Sequence, residues 1–128
     1  MLQIGYIKAR VYTSDAQIPI KNAVFNVFKT DGDKYTLIGT RITDEEGQTS
    51  VVPVETPDSS LSQYKGNPDP FTSVSIRIDH PDFKTYISNG VQVFGGMVSI
   101  QEAFLLPVDR NVPTDARAEV FDIPKQNL

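Results

Sequence analysis

Between Ile4 and Tyr12 the chain alternates with a period of two: Gly5, Ile7, Ala9 and Val11 fall on one face, and Tyr6, Lys8, Arg10 and Tyr12 on the other. Successive side chains of a β-strand point to opposite faces, whereas the apolar residues of an amphipathic helix recur every three to four positions. The run therefore fits a strand with one face on a core and the other in water. No helical stripe stands out elsewhere in the 128 residues, so the fold expected is all-β.

Further runs of alternating or β-branched residues follow at Ala23–Lys29, Tyr35–Ile42, Thr49–Val54, Phe71–Asp79, Phe83–Ser88 continuing into Val91–Phe94, and Val98–Leu106. The segments between them are rich in turn formers: Ile18-Pro19-Ile20-Lys21-Asn22, Asp31-Gly32-Asp33, Thr43-Asp44-Glu45-Glu46-Gly47, His80-Pro81-Asp82, Asn89-Gly90 and Gly95-Gly96. Asp, Asn and Gly tolerate the backbone angles of tight turns, and Asp31-Gly32 and Gly95-Gly96 read as hairpins. About seven short strands at roughly 8–12-residue spacing indicate a single antiparallel β-sandwich. Its expected core is Ile7, Val11, Val27, Leu37, Val52, Ile76, Ile78, Val93 and Ile100. The stretch 57–70, with Pro57, Pro68 and Pro70 among Ser, Gly and Asn, is expected to be an exposed loop. Residues 1–108 then form the sandwich, and 109–128, polar and holding Pro113 and Pro124, an extended C-terminal arm.

Composition narrows the chemistry. A formal charge of -4 offers no basic surplus for phosphates, which argues against nucleic-acid partners, and no apolar window reaches the length of a membrane span. With 0 Cys there is no disulfide, thiolate or cysteine zinc site, and a single His leaves little for acid–base work. The N-terminal residues Met1 to Tyr6 lack the basic and apolar regions of a signal peptide, so synthesis in the cytoplasm is expected.

The segments Pro19-Ile20-Lys21-Asn22-Ala23-Val24, Thr43-Asp44-Glu45-Glu46-Gly47-Gln48-Thr49 and His80-Pro81-Asp82-Phe83 resemble the carboxypeptidase regulatory-like family, whose domains are transthyretin-like or Ig-like β-sandwiches. A narrower likeness lies in Asn67-Pro68-Asp69-Pro70-Phe71, Gly90-Val91-Gln92-Val93-Phe94, Val98-Ser99-Ile100-Gln101 and Leu106-Pro107. These look like the N-terminal accessory domain of clostridial spore cortex-lytic enzymes and small stand-alone relatives. The resemblance implies a non-enzymatic interaction module without cofactor. Two roles follow as expectations. One is a subunit of a bacteriophage virion or phage-tail-like particle of a Gram-positive host; the other is a peptidoglycan- or spore-cortex-associated accessory module. The final site is then a particle or the spore or cell envelope.

His80 between Asp79 and Asp82 suggests an acid–base or metal pair, but residues so close in a turn more often shape the turn. The acidic turns Asp31-Gly32-Asp33 and Asp44-Glu45-Glu46 lack the spaced six to eight oxygens of a calcium loop. Lys8 shares the face of Arg10, away from the core, so no isopeptide bond is expected. Tyr6, Tyr12, Tyr35, Tyr64, Tyr86, Phe71 and Phe94 fit sheet packing better than a glycan platform. No catalytic, cofactor or metal residues are therefore assigned. Partner contacts are expected through the arm, at Val112, Val120, Phe121, Ile123 and Leu128, and near the loop, at Tyr64 and Phe71.

Overall fold

The computed structural model describes residues 3–57, 71–108 and 118–120, and their architecture is an all-β sandwich. The strands are β1 (Gln3–Thr13), β2 (Val24–Asp31), β3 (Lys34–Ile42), β4 (Val52–Thr56), β5 (Phe71–His80), β6 (Phe83–Phe94), β7 (Val98–Leu105) and β8 (Ala118–Val120). One sheet has the order β4-β1-β7 and the other β3-β2-β5-β6-β8.

The core lies between the sheets. Ile7, Ala9 and Val11 of β1 and Val52 and Val54 of β4 meet Phe25 and Val27 of β2, Val74, Ile76 and Ile78 of β5, and Val93 of β6. Of the expected core, Ile7, Val11, Val27, Val52, Ile76, Ile78 and Val93 are buried, but Leu37 and Ile100 are 53% and 43% exposed. Both departures follow from parity. In β3 an extra residue, Ile38, interrupts the pairing between Val27↔Gly39 and Phe28↔Leu37, so Ile38 packs on the core and Leu37 turns outward. Ile100 pairs with Lys8, which already lies on the outer face of β1; the buried residues of β7 are Ala103 and Leu105.

The pairing is not wholly antiparallel. β7 lies parallel to β1, and β8 parallel to β6. Gly95-Gly96 is accordingly no hairpin: it carries the chain from β6 in one sheet to β7 in the other. The crossing is tight, since a Cβ on Gly5 would stand 2.4 Å from the carbonyl oxygen of Phe94, and one on Gly95 2.5 Å from Gln3 Oε1. Beyond β7 the chain returns to the larger sheet, where Lys84 N donates to Leu106 O and Val108 N to Asp82 O. Ala118–Val120 then pairs with Thr85–Ile87 of the same chain, so this part of the arm adds an edge strand, contrary to its polar reading.

Two buried threonines hold the turns that the sequence motifs single out. Thr43 Oγ1 accepts from Ala23 N and donates to Ile20 O, and Thr49 Oγ1 accepts from Ala9 N. Each hydroxyl supplies a partner to backbone that has left its ladder, which matters because an unmet buried polar group is costly.

Candidate functional site

The outer face of the larger sheet is dished where two irregularities flank one row of residues. Phe28 of β2 lies directly across from Ser75 of β5. On the β3 side the row is bordered by the extra residue Ile38. On the β6 side Val74 pairs with Val91 and Ile76 with Ser88, so Asn89 and Gly90 together face Ser75. Gly90 has φ +72°, the left-handed value that glycine adopts at little cost and that allows such a bulge. Bulges bend a strand and re-aim its side chains. Here they border an open cavity of about 350 Å³ lined by Phe28, Tyr35, Ser75, Ile76, Arg77, Ile87 and Asn89.

The lining combines apolar and polar character. Phe28, Tyr35 and Ile87 supply rings and aliphatic surface, and Arg77 supplies a cation. Arg77 Nε donates to Asp79 Oδ2 at 2.8 Å, and Thr85 Oγ1 donates to Asp79 Oδ1 at 2.8 Å. Both carboxylate oxygens of Asp79 are thus engaged, and the guanidinium is held through Nε with its terminal nitrogens unpartnered among the described residues. Ser75 is 3% exposed, and its Oγ is buried with no hydrogen-bond partner among the described residues. A buried hydroxyl without a partner costs about 1–3 kcal/mol. The site therefore suits a small planar molecule bearing an oxygen or anionic group.

The single imidazole plays a local part. His80 Nδ1 accepts from Asp82 N at 3.1 Å, and the ring meets Phe83 edge-on at 5.3 Å, which fixes the turn between β5 and β6. Asp44 Oδ1 accepts from Glu46 N and Gln48 N; chiefly the Gln48 bond, against some desolvation, holds its carboxyl below the ordinary value. Lys8 donates to Gln48 Oε1, on the outside of β1. Among the described residues no three His, Asp or Glu side chains stand together as metal ligands.

The expected partner residues fall differently. Phe71 opens β5 and packs its ring on Phe94 at 5.4 Å. The backbone of Val120 pairs with Ile87 of its own chain. Tyr64, Val112, Phe121, Ile123 and Leu128, with most of the 57–70 stretch, lie outside the described residues. Sequence reading missed Phe28, Ser75, Arg77 and Asn89 as a group. A signal was present in Asn89-Gly90, a glycine inside a strand-like run, which marks a bulge as readily as a turn.

No family model and no curated protein matches the chain. Solved structures match it in fold. A catechol 1,2-dioxygenase from Acinetobacter sp. ADP1, inhibited by bound mercury, is 13% identical with a TM-score of 0.56, over 96% of this chain and 57% of that one. An intradiol ring-cleavage dioxygenase from Tetranychus urticae is 11% identical with a TM-score of 0.52, over 85% and 83% respectively. The Bacillus anthracis TIE protein is 13% identical with a TM-score of 0.50, over 83% of this chain and 17% of that one. The chain thus spans less than two thirds of the Acinetobacter enzyme and of the TIE protein. At these identities the likeness is one of fold.

It nevertheless overturns the expectation of a non-enzymatic virion or spore-cortex module. Further matches are again catechol or chlorocatechol 1,2-dioxygenases, so the same sandwich is an architecture that enzymes use. Composition alone does not decide against an enzyme. A scarcity of His and Cys limits what this stretch catalyses with those groups, but a β-sandwich also serves enzymes by shaping and holding a substrate. A dioxygenase metal centre would require several converging ligands, and the described residues do not fit one.

Proposed function

We propose that this chain is a ligand-holding β-sandwich in enzyme chemistry on small aromatic compounds, with the bulge-flanked cavity as its site. One observation supports the reading above others: Phe28 and Tyr35, the Asp79-held Arg77 and the unpartnered Ser75 hydroxyl line a single cavity. The ring of the ligand packs against Phe28, Tyr35 and Ile87. Its oxygen or carboxylate meets Arg77, and Asn89 completes the polar contacts. The names of the fold's dioxygenase neighbours agree with an aromatic ligand, and no reaction step is assigned to a metal.

Titration calorimetry with catechol and with benzoate tests the reading. A compound of this size is expected to bind with Kd of about 0.1–1 mM, near -5 kcal/mol. Arg77→Met is expected to weaken benzoate by about tenfold, equivalent to losing one charge-assisted hydrogen bond. Absence of binding by either compound at saturating concentration overturns the proposal. Oxygen uptake with catechol, measured in parallel, tells whether the chain turns over a ring or only holds it.

A further inference from the structure

Among the described residues the two sheets have four edges, and three of them are blunted against further pairing. β4 has five residues and includes Pro53, β8 has three, and β3 is interrupted at Ile38 and carries Lys34 and Arg41. Short length, proline, bulges and charge are the usual devices that stop an edge from recruiting another strand. β7 has none of the first three. It runs eight residues in unbroken register with β1, and among its outward side chains only Glu102 is charged.

The hydrogen bonds fix which backbone groups of β7 are open. Tyr6 N donates to Met97 O, and Ser14 N donates to Leu105 O. In a parallel ladder with this register, Ser99, Gln101, Ala103 and Leu105 turn their N–H and C=O groups toward β1. Val98, Ile100, Glu102 and Phe104 turn theirs to the open edge. The side chains of the same four residues lie on the outer face, where Val98, Ile100 and Phe104 are 51%, 43% and 42% exposed. Among the described residues, an unpaired ladder and an apolar row thus coincide on one strand.

We infer that a second copy of this chain covers that edge, β7 pairing antiparallel with β7 about a two-fold axis at Gln101. The register follows from the side chains. Centring on Glu102 sets two carboxylates directly opposite, which is destabilising. Centring on Ile100 leaves Phe104 without a partner strand residue. Centring on Gln101 pairs Val98 with Phe104 and Ile100 with Glu102 of the second copy, so every open residue is used. Each Glu102 also keeps Arg10 of its own sheet within 3.9 Å. Two three-stranded sheets then become one continuous sheet, and an isologous contact of this kind closes on itself.

The full chain is tested by size-exclusion chromatography with light scattering. The expected mass is twice 14.2 kDa, falling toward the single-chain mass on dilution. Ile100→Pro removes an N–H that points away from β1, so it is expected to give a monomer with an unchanged β-type circular dichroism spectrum. Ile100→Lys is expected to do the same without touching the backbone. Register is read by cross-linking, which is clean because the sequence has 0 Cys. In the inferred dimer the two Gln101 residues form a non-hydrogen-bonded pair with Cα atoms about 4.5 Å apart, within disulfide reach. Gln101→Cys is therefore expected to oxidise to a covalent dimer, and Ser99→Cys, which faces Ala103 of the second copy, to stay single. A wild-type chain monomeric at every concentration, an Ile100→Lys variant that remains dimeric, or equal cross-linking at both positions overturns the inference.

Discussion

The two sheets share a dry inner face and differ completely outside. The larger sheet carries bulges at Ile38 and at Asn89-Gly90, and between them it gathers an arginine, an amide, a buried hydroxyl and two rings into one hollow. The smaller sheet has a regular β1–β7 register and shows water a row of apolar residues, with Tyr12 stacked on Phe104 at 5.9 Å. The contrast teaches that local irregularity makes a concave site from an ordinary sheet, while regularity leaves a flat surface suited to pairing. One inserted residue in β3 and one in β6 make the hollow, and the unbroken β1–β7 register leaves the flat surface.

The sharpest way to break the comparison is through the shared core. Ile76→Ala is expected to cost about 2–5 kcal/mol in urea unfolding, by removing buried methyl groups and leaving a cavity. Ile100→Ala, on the outside of the smaller sheet, is expected to change stability by less than about 0.5 kcal/mol when measured at low protein concentration. Similar losses at the two positions would mean that the outer row of β7 is packed within its own chain. Next in size is Gly39→Ala, whose Cβ would stand 2.5 Å from Val52 Cγ1. Overpacking of this kind typically costs about 1–3 kcal/mol.

Smaller effects sharpen the difference between the outer faces. A Cβ at Gly90 meets nothing within 4 Å, yet φ +72° strains any other residue, so Gly90→Ala is expected to cost about 1–2 kcal/mol. The same substitution should weaken ligand binding in calorimetry and leave β7 cross-linking unchanged, which separates the two surfaces. The smallest effect is alkaline. Burial pushes the Tyr86 phenol above its ordinary value of 10.0, with a hydrogen bond to Ser88 acting the other way. The fold thus favours the neutral phenol: its contribution is intact below the unfolded value and is lost as pH rises through the folded one. Absorbance titration at alkaline pH is expected to show a late-titrating component that is lost in Tyr86→Phe.

Strand positions were legible because each strand has one dry face, and alternation records that directly. The run Ile4–Tyr12 gave both the strand and the correct faces of all its residues. Alternation does not report which strands pair. Gly95-Gly96 has the composition of a hairpin, but the close approach of Gly5 to the Phe94 carbonyl makes it a passage between sheets, and that contact is distant in sequence. The candidate site was hidden for a related reason. Ser75 and Arg77 look like ordinary outward residues of an apolar strand, and only the bulges opposite them, visible as paired registers, turn them into the floor and wall of a cavity.

The parallel pairing of β1 with β7 also governs how the chain reaches its fold. Tyr6 bonds beside Val98 and Thr13 beside Leu105, so the smaller sheet joins the two ends of the described sandwich. Closing so long a loop must precede any reward from the contact, and topologies of this kind fold on the scale of milliseconds to seconds rather than microseconds. During synthesis β1 emerges first and pairs fully only after β7 has left the ribosome. In that interval the edge of β1 that β7 later covers has no ladder partner, and the nascent chain is exposed to association with its neighbours.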